Sequence, residues 1–160
     1  MASEGENKEQ RAVDPATLTP FVSHEEAVNH EFQPSDFVHL HNHTTYSVLD
    51  GLTKIDQLVQ MTKDFGMDAV AVTDHGTMGG DLTFYKKAKK EGIKPILGIE
   101  TYVAARGRKD RDPAKDKPRY HLTMLAMNNT GWKNLMKLST LANLEGMYYK
   151  PRIDNELIEK

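Results

Sequence analysis

From Phe37 onward, short apolar runs alternate with amphipathic stretches. Phe37–His43 is a short β-type run that ends in polar residues. Lys54–Phe65 places Ile55, Leu58, Val59 and Thr62 at helical spacing, with Gly66 positioned to end the helix. Ala69–Thr73 has the apolar character of a buried strand and runs into Asp74, His75 and Gly76. Asp81–Glu91 predicts a lysine-rich helix carrying Leu82, Phe84, Tyr85 and Ala88, closed by Gly92. Strands are expected over Pro95–Ala105 and Tyr120–Met127. A helix is expected over Trp132–Leu144, with Leu135, Leu138 and Leu141 on one face, and another begins at Ile153 and runs to Lys160. Strands that alternate with helices predict an α/β fold with a parallel sheet.

The first 36 residues differ in kind. They carry eight acidic side chains against Lys8 and Arg11, with Pro15, Pro20 and Pro34 and no sustained period. Such a stretch buries too little apolar surface to offset its ordering entropy, so residues 1–36 are expected to form a disordered acidic leader and 37–160 the folded part. The 160 residues include no cysteine, which excludes a disulfide scaffold, thiol catalysis and cysteine-based zinc fingers. With no apolar run near the roughly 18 residues of a membrane span and no apolar signal segment, a cytoplasmic protein is expected.

Two basic regions stand out. Arg106–Arg119 has seven basic and three acidic residues and no apolar period. It reads first as an exposed flexible loop and second as a contact to a nucleic-acid backbone; without interleaved aromatics it is unsuited to base stacking. Lys86, Lys87, Lys89 and Lys90 read first as the solvated face of their helix and second as a DNA-facing surface, and Trp132 as helix core beside Leu135 and Leu138.

Five of the seven histidines lie on or at the ends of expected strands. His39, His41 and His43 alternate along one strand and so project to one face. Imidazoles at i and i+2 suit one divalent ion. Asp50 follows in a loop, His75 sits just past the second strand, Glu100 lies on the third and His121 opens the fourth. In parallel α/β folds such groups converge where strands feed into the following loops. A carboxylate such as Glu100 could there bridge two ions. Any one of these histidines alone reads as structural; the ordered set is far more specific.

The segment Phe37–Gly51 (FVHLHNHTTYSVLDG) resembles the first motif of the polymerase and histidinol phosphatase (PHP) domain, and Thr73–Gly76 (TDHG) its second. Phe84–Ala88 (FYKKA), Gly92–Glu100 (GIKPILGIE), His121-Leu-Thr and Leu144–Asp154 (LEGMYYKPRID) are similar to the branch found in bacterial replicative DNA polymerase III alpha subunits. The resemblance runs over residues 37–160. It implies a distorted β/α barrel with a metal cluster at the C-terminal strand rim. By matched position it makes His41, His43, Asp50, His75, Glu100 and His121 metal ligands, with Glu100 bridging. His39 is expected to point into the barrel beneath the metals, and Asp74 to cap a turn or orient a neighbour. Gly76, Gly79 and Gly80 suit a tight turn that lets the chain approach the site. The implied cofactor is a divalent cluster, zinc or manganese, with magnesium belonging to a polymerase site that these residues do not include. The implied activity is 3′→5′ exonuclease or related phosphoesterase chemistry. The implied partners are DNA and replisome subunits such as a proofreading exonuclease, with no membrane.

A complete barrel of this kind needs about 200 residues or more. The expectation is therefore a truncated barrel, the N-terminal segment of a longer polymerase chain, with the family's last Asp-x-His motif beyond Lys160 and an incomplete metal site here. The competing readings are a non-catalytic docking module for a proofreading nuclease and a stand-alone PHP phosphatase.

Overall fold

The computed structural model describes residues 31–159, so most of the expected leader lies outside the described residues. The last three leader residues, Pro34–Asp36, form a single 3-10 turn in which the Gln33 backbone N–H donates to Asp36 Oδ2 at 2.8 Å. Thereafter come α1 (Ile55–Asp64), β1 (Ala69–Val72), α2 (Asp81–Lys90), β2 (Lys94–Ala104) and β3 (Arg119–Leu125). The chain continues through α3 (Asn129–Leu144), β4 (Met147–Tyr148), β5 (Lys150–Ile153) and α4 (Asn155–Ile158).

The eleven-residue β2 is the hub of the sheet. Its first half pairs in parallel with β1, Ala69 opposite Lys94 through Val72 opposite Leu97. Its second half pairs with β3 on one edge and with β5, at Tyr102 and Val103, on the other. The α/β class is as expected, but the sheet is mixed. β3 runs antiparallel because no helix separates it from β2: the connection over 105–118 returns the chain directly beside the strand it has just left. Among the described residues the sheet is open.

The helical pattern buries what its spacing predicts. Ile55 and Val59 of α1, Val70 and Val72 of β1, and Phe84 and Ala88 of α2 close one core with Ile93. Each fully buried Val or Phe there contributes about 1.5–3 kcal/mol. A second core joins Ile99 of β2 and Ile153 of β5 to Leu135, Leu138 and Ala142 of α3. Gly66, at φ 71°, ends the first helix as expected. Trp132 departs from expectation. It is half-buried and lines a cavity of about 380 Å³ with Asp81, Tyr85 and Leu97, instead of joining Leu135 and Leu138. Burial beside it pushes the Asp81 carboxyl up to about 7, with the indole N–H pulling the other way.

Two further expectations are corrected. Phe37–His43 is not a regular strand. Ala71 N–H bonds His39 O and Thr73 N–H bonds Asn42 O, both at 2.9 Å, so three residues on one side oppose two on the other. This bulge breaks strict alternation, and the Asn42 side chain fills the gap by donating to His39 O and Ala71 O. The helix expected from Ile153 starts later: Ile153 is fully buried in β5, and the Asp154 side chain then caps the short α4.

The basic segment 106–119 is not a flexible loop. Arg106 grips Asp116 with two nitrogens, at 2.8 and 2.6 Å, and holds that carboxyl down at about 2. Arg108, 7 % exposed, bonds Asp154, Glu145 and Glu156. Arg152, 1 % exposed, donates to the backbone carbonyls of Gly146, Asp116, Arg108 and Asp110 at 2.8–3.1 Å. Basic composition suggested solvation; these partners lie six to 48 residues away, where a local pattern carries no trace of them.

Replacing Arg152 with Met leaves several buried carbonyls without donors, a loss of about 3 kcal/mol or more. Urea unfolding of Arg152→Met should show that loss. Limited proteolysis should then cut within 106–118, which stays intact in the parent chain.

Candidate metal centre

Glu100 sits on β2, 4 % exposed, between β3 on one side and, on the other, the β1 extension, the residues just past Val72 where His75 bridges Glu100 in parallel. The backbone around His75 is pinned to it from both sides: Glu100 N–H donates to Asp74 O at 3.1 Å, and Gly76 N–H donates to Glu100 O at 2.8 Å. Gly76 must be glycine. Its φ is 67°, and a Cβ would meet the Tyr102 ring at 3.0 Å and Pro151 at 3.1 Å.

The Glu100 carboxylate divides its two oxygens between two sets of imidazoles. Oε2 lies 2.6 Å from His41 Nε2 and 2.5 Å from His43 Nε2. Oε1 lies 2.8 Å from His121 Nδ1 and 3.6 Å from His75 Nε2. His75 Nε2 and His121 Nδ1 are themselves 3.0 Å apart, and His75 Nδ1 reaches Asp50 Oδ2 at 3.1 Å. Burial alone would raise the Glu100 pKa, but hydrogen bonds from His41, His43 and His121 and the attraction of His75 outweigh it and bring the carboxyl to about 2. Burial lowers the His75 pKa, opposed by Glu100 and Asp50, and so favours the neutral, ligating form of the ring.

Five of the six expected residues therefore meet around the Glu100 carboxylate, and Asp50 stands beside them. Two groups, His41–His43–Glu100 and His75–Glu100–His121, each place their ligand atoms within 4.8 Å of one another. Tetrahedral nitrogen and oxygen ligands at about 2.1 Å from an ion stand about 3.4 Å apart. The donor set, imidazoles around one ionised carboxylate, suits a divalent cation. Asp50 touches the cluster only through His75. His39 is exposed and packs edge-on against Phe37, 4.8 Å between centroids, instead of lying beneath the cluster; the bulge at 39–42 turns it away from His41.

The supporting groups were less legible. Asp74 is fully buried and accepts from Thr44 N–H (2.6 Å), Thr44 Oγ1 (2.8 Å) and Ser47 Oγ (2.7 Å). Ser47 Oγ in turn accepts from His75 N–H at 2.9 Å. Asp74 thus ties the segment bearing His43 and Asp50 to the one bearing His75, an orienting role as expected. Gly80 permits that closeness, since a Cβ there would meet Tyr46 at 2.9 Å and Asp74 Oδ2 at 3.2 Å. Tyr102 escaped notice altogether. Its ring stacks on His75 (4.5 Å, 17°) and meets His121 edge-on at 5.1 Å. Its position two residues after Glu100 on β2, hence on the same face, was the available signal.

The PHP domain family matches residues 39–160. The chain belongs to the PHP domain family. The PHP chain is 54 % identical over 131 residues to the DNA polymerase III subunit alpha of Aquifex aeolicus, covering 78 % of this chain and 11 % of that protein. It is 53 % identical over 123 residues to the subunit of the same name from Treponema pallidum, covering 76 % and 10 %. The chain spans about a tenth of the length of the curated relatives it matches. Among solved structures, an amidohydrolase from Chromobacterium violaceum with bound sulfate and no metal is 19 % identical, with a TM-score of 0.44, covering 63 % of this chain and 32 % of that one. No helix among the described residues is long and apolar enough to cross a membrane.

Asp74→Asn places an amide N–H₂ where three donors now point. It should preserve the fold and weaken Zn²⁺ binding about 10- to 100-fold, as loss of an orienting partner does elsewhere; competition against a chromophoric chelator measures it.

Proposed function

We propose that this chain is the PHP segment of a bacterial replicative DNA polymerase alpha subunit, and that its cluster serves metal-dependent cleavage of a phosphoester at a DNA 3′ end. The observation that carries the reading is the Glu100 carboxylate, with one oxygen directed to His41 and His43 and the other to His75 and His121. Support for the parentage comes from about 50 % identity to alpha subunits along most of the chain.

In this reading His41, His43 and Glu100 would hold one divalent ion, and His75, His121 and Glu100 could hold a second, with Asp50 beside His75. Zinc or manganese fits these donors; magnesium belongs to the polymerase site elsewhere in the parent subunit. When bound, such ions supply Lewis acidity toward a phosphoryl oxygen and make water a better nucleophile. The protein's own residues fix the donors. Asp50 Oδ2 is placed to accept from His75 Nδ1 at 3.1 Å, leaving His75 Nε2 turned to the cluster. The low pKa of Glu100 keeps it ionised at any working pH, so its two oxygens remain acceptors. The partially exposed His41 and His121 rings leave the cluster open to an incoming strand end. The same reading places the protein in the cytoplasm, with DNA and replisome subunits, including a proofreading exonuclease, as partners.

Release of nucleotides from the 3′ end of labelled single-stranded DNA, assayed with Mn²⁺ or Zn²⁺ on the alpha subunit that contains this segment, tests the proposal. Glu100→Gln should cut that release by at least about a hundredfold while leaving nucleotide incorporation intact. Release that is unchanged in Glu100→Gln contradicts it.

A further inference from the structure

Two cations stand at the edge of the cluster with no carboxylate to neutralise them. Arg119 Cζ lies 5.5 Å and Lys150 Nζ 5.6 Å from the centroid of Tyr102, the ring that stacks on His75 and abuts His121. Among the described residues neither has an acidic partner within 4.0 Å, although Arg106, Arg108 and Lys109 nearby all do. The Arg119 guanidinium donates to the carbonyl of Lys117 at 3.2 Å, a neutral acceptor that does not cancel its charge.

The backbone is bent to deliver these groups. Among the described residues the non-glycine positions with positive φ are Leu49 (72°) and Tyr149 (60°), and both side chains are exposed. Each immediately precedes a residue at the rim, Asp50 and Lys150. Left-handed φ costs a non-glycine residue about 1–2 kcal/mol, and no burial of the Leu49 or Tyr149 side chain compensates for it. At Tyr149 the turn reverses the chain between Tyr148 and Lys150, which pair across β4 and β5, and sets Lys150 over Tyr102. Arg119, opposite Ala104 and two residues before His121, reaches the same ring from β3. It belongs to the 106–119 basic run, in which Arg106 and Arg108 are consumed by structural ion pairs whereas Arg119 lies over the Tyr102 ring.

We infer that Arg119 and Lys150, carried on the Tyr102 ring, form an anion subsite beside the metal centre that takes a phosphate of a nucleic-acid strand next to the phosphate being cleaved. The inference rests on the proposed phosphoesterase reading for the identity of the neighbouring group. It adds a preference for a strand with successive phosphates over an isolated phosphoester. Tyr102 is a positioning residue here: its ring contacts both cations and also packs against His75 and His121.

The test is binding of fluorescein-labelled pentathymidylate to the full chain in EDTA, measured by anisotropy across a salt series. Each cation that contacts a phosphate steepens the salt dependence, by about 0.7 in log K against log salt for a single strand. Arg119→Ala with Lys150→Ala should weaken binding roughly tenfold at low salt and flatten the slope by about 1.4, the sum for two contacts. Arg119→Lys with Lys150→Arg keeps the charges and should keep the slope, which separates charge from packing; unchanged Zn²⁺ uptake in both variants shows that the centre is intact. A slope the same in the alanine variant as in the parent, or no binding of pentathymidylate by the parent, overturns the subsite. If the slope falls as stated while the alpha subunit releases no nucleotide, the subsite stands and the phosphoesterase reading falls.

Discussion

A single buried carboxylate organises this protein. Taking Glu100 out of water is costly for an ionised group unless donors surround it. The imidazoles of His41, His43 and His121, within 2.8 Å, and that of His75 at 3.6 Å supply the compensation. That requirement ties together four parts of the chain that are up to 80 residues apart. It also explains why β2 must be the hub: only a strand flanked by the β1 extension on one side and β3 on the other can present one side chain to all of them.

The remainder of the molecule can be understood as what keeps those four parts in place. Asp74 locks the bulged segment to the His75 turn through Thr44 and Ser47, with bonds as short as 2.6 Å. On the far side, Arg152 and Arg108 convert a basic connection into a rigid wall behind β5. A buried charge is weak evidence for stability by itself, because its desolvation offsets much of the attraction. Its value here is geometric, since a fixed wall sets where β5, and therefore Lys150, meets Tyr102. The two cores under α1, α2 and α3 provide the apolar burial that such polar locks cannot.

Much of this was legible in the chain. The helices over Ile55–Asp64, Asp81–Lys90 and Asn129–Leu144 followed from apolar spacing, and the strand Ala69–Val72 from its apolar run. All six candidate ligands were visible as histidines and carboxylates; His41, His43, His75, Glu100 and His121 converge, with Asp50 joined to them through His75. Strand direction was not visible: periodicity states that Arg119–Leu125 is a strand but not that it runs antiparallel. The bulge at 39–42 was hidden because the H-x-H-x-H pattern looks like unbroken alternation, which made His39 seem equivalent to His41 and His43. The order in 106–119 was hidden because its partners, Glu145, Asp154 and Glu156, lie far along the chain. Tyr102 was hidden by its ordinariness, an aromatic on a strand, until the ring beneath two of the histidines came into view.

In the proposed function Glu100 would be shared between two divalent ions. Crystals of the chain grown with Mn²⁺ and measured on both sides of the manganese absorption edge test it most directly. The account predicts two anomalous peaks, one between Glu100 and the His41–His43 pair and one between Glu100 and the His75–His121 pair. A single peak, or peaks away from Glu100, would contradict it.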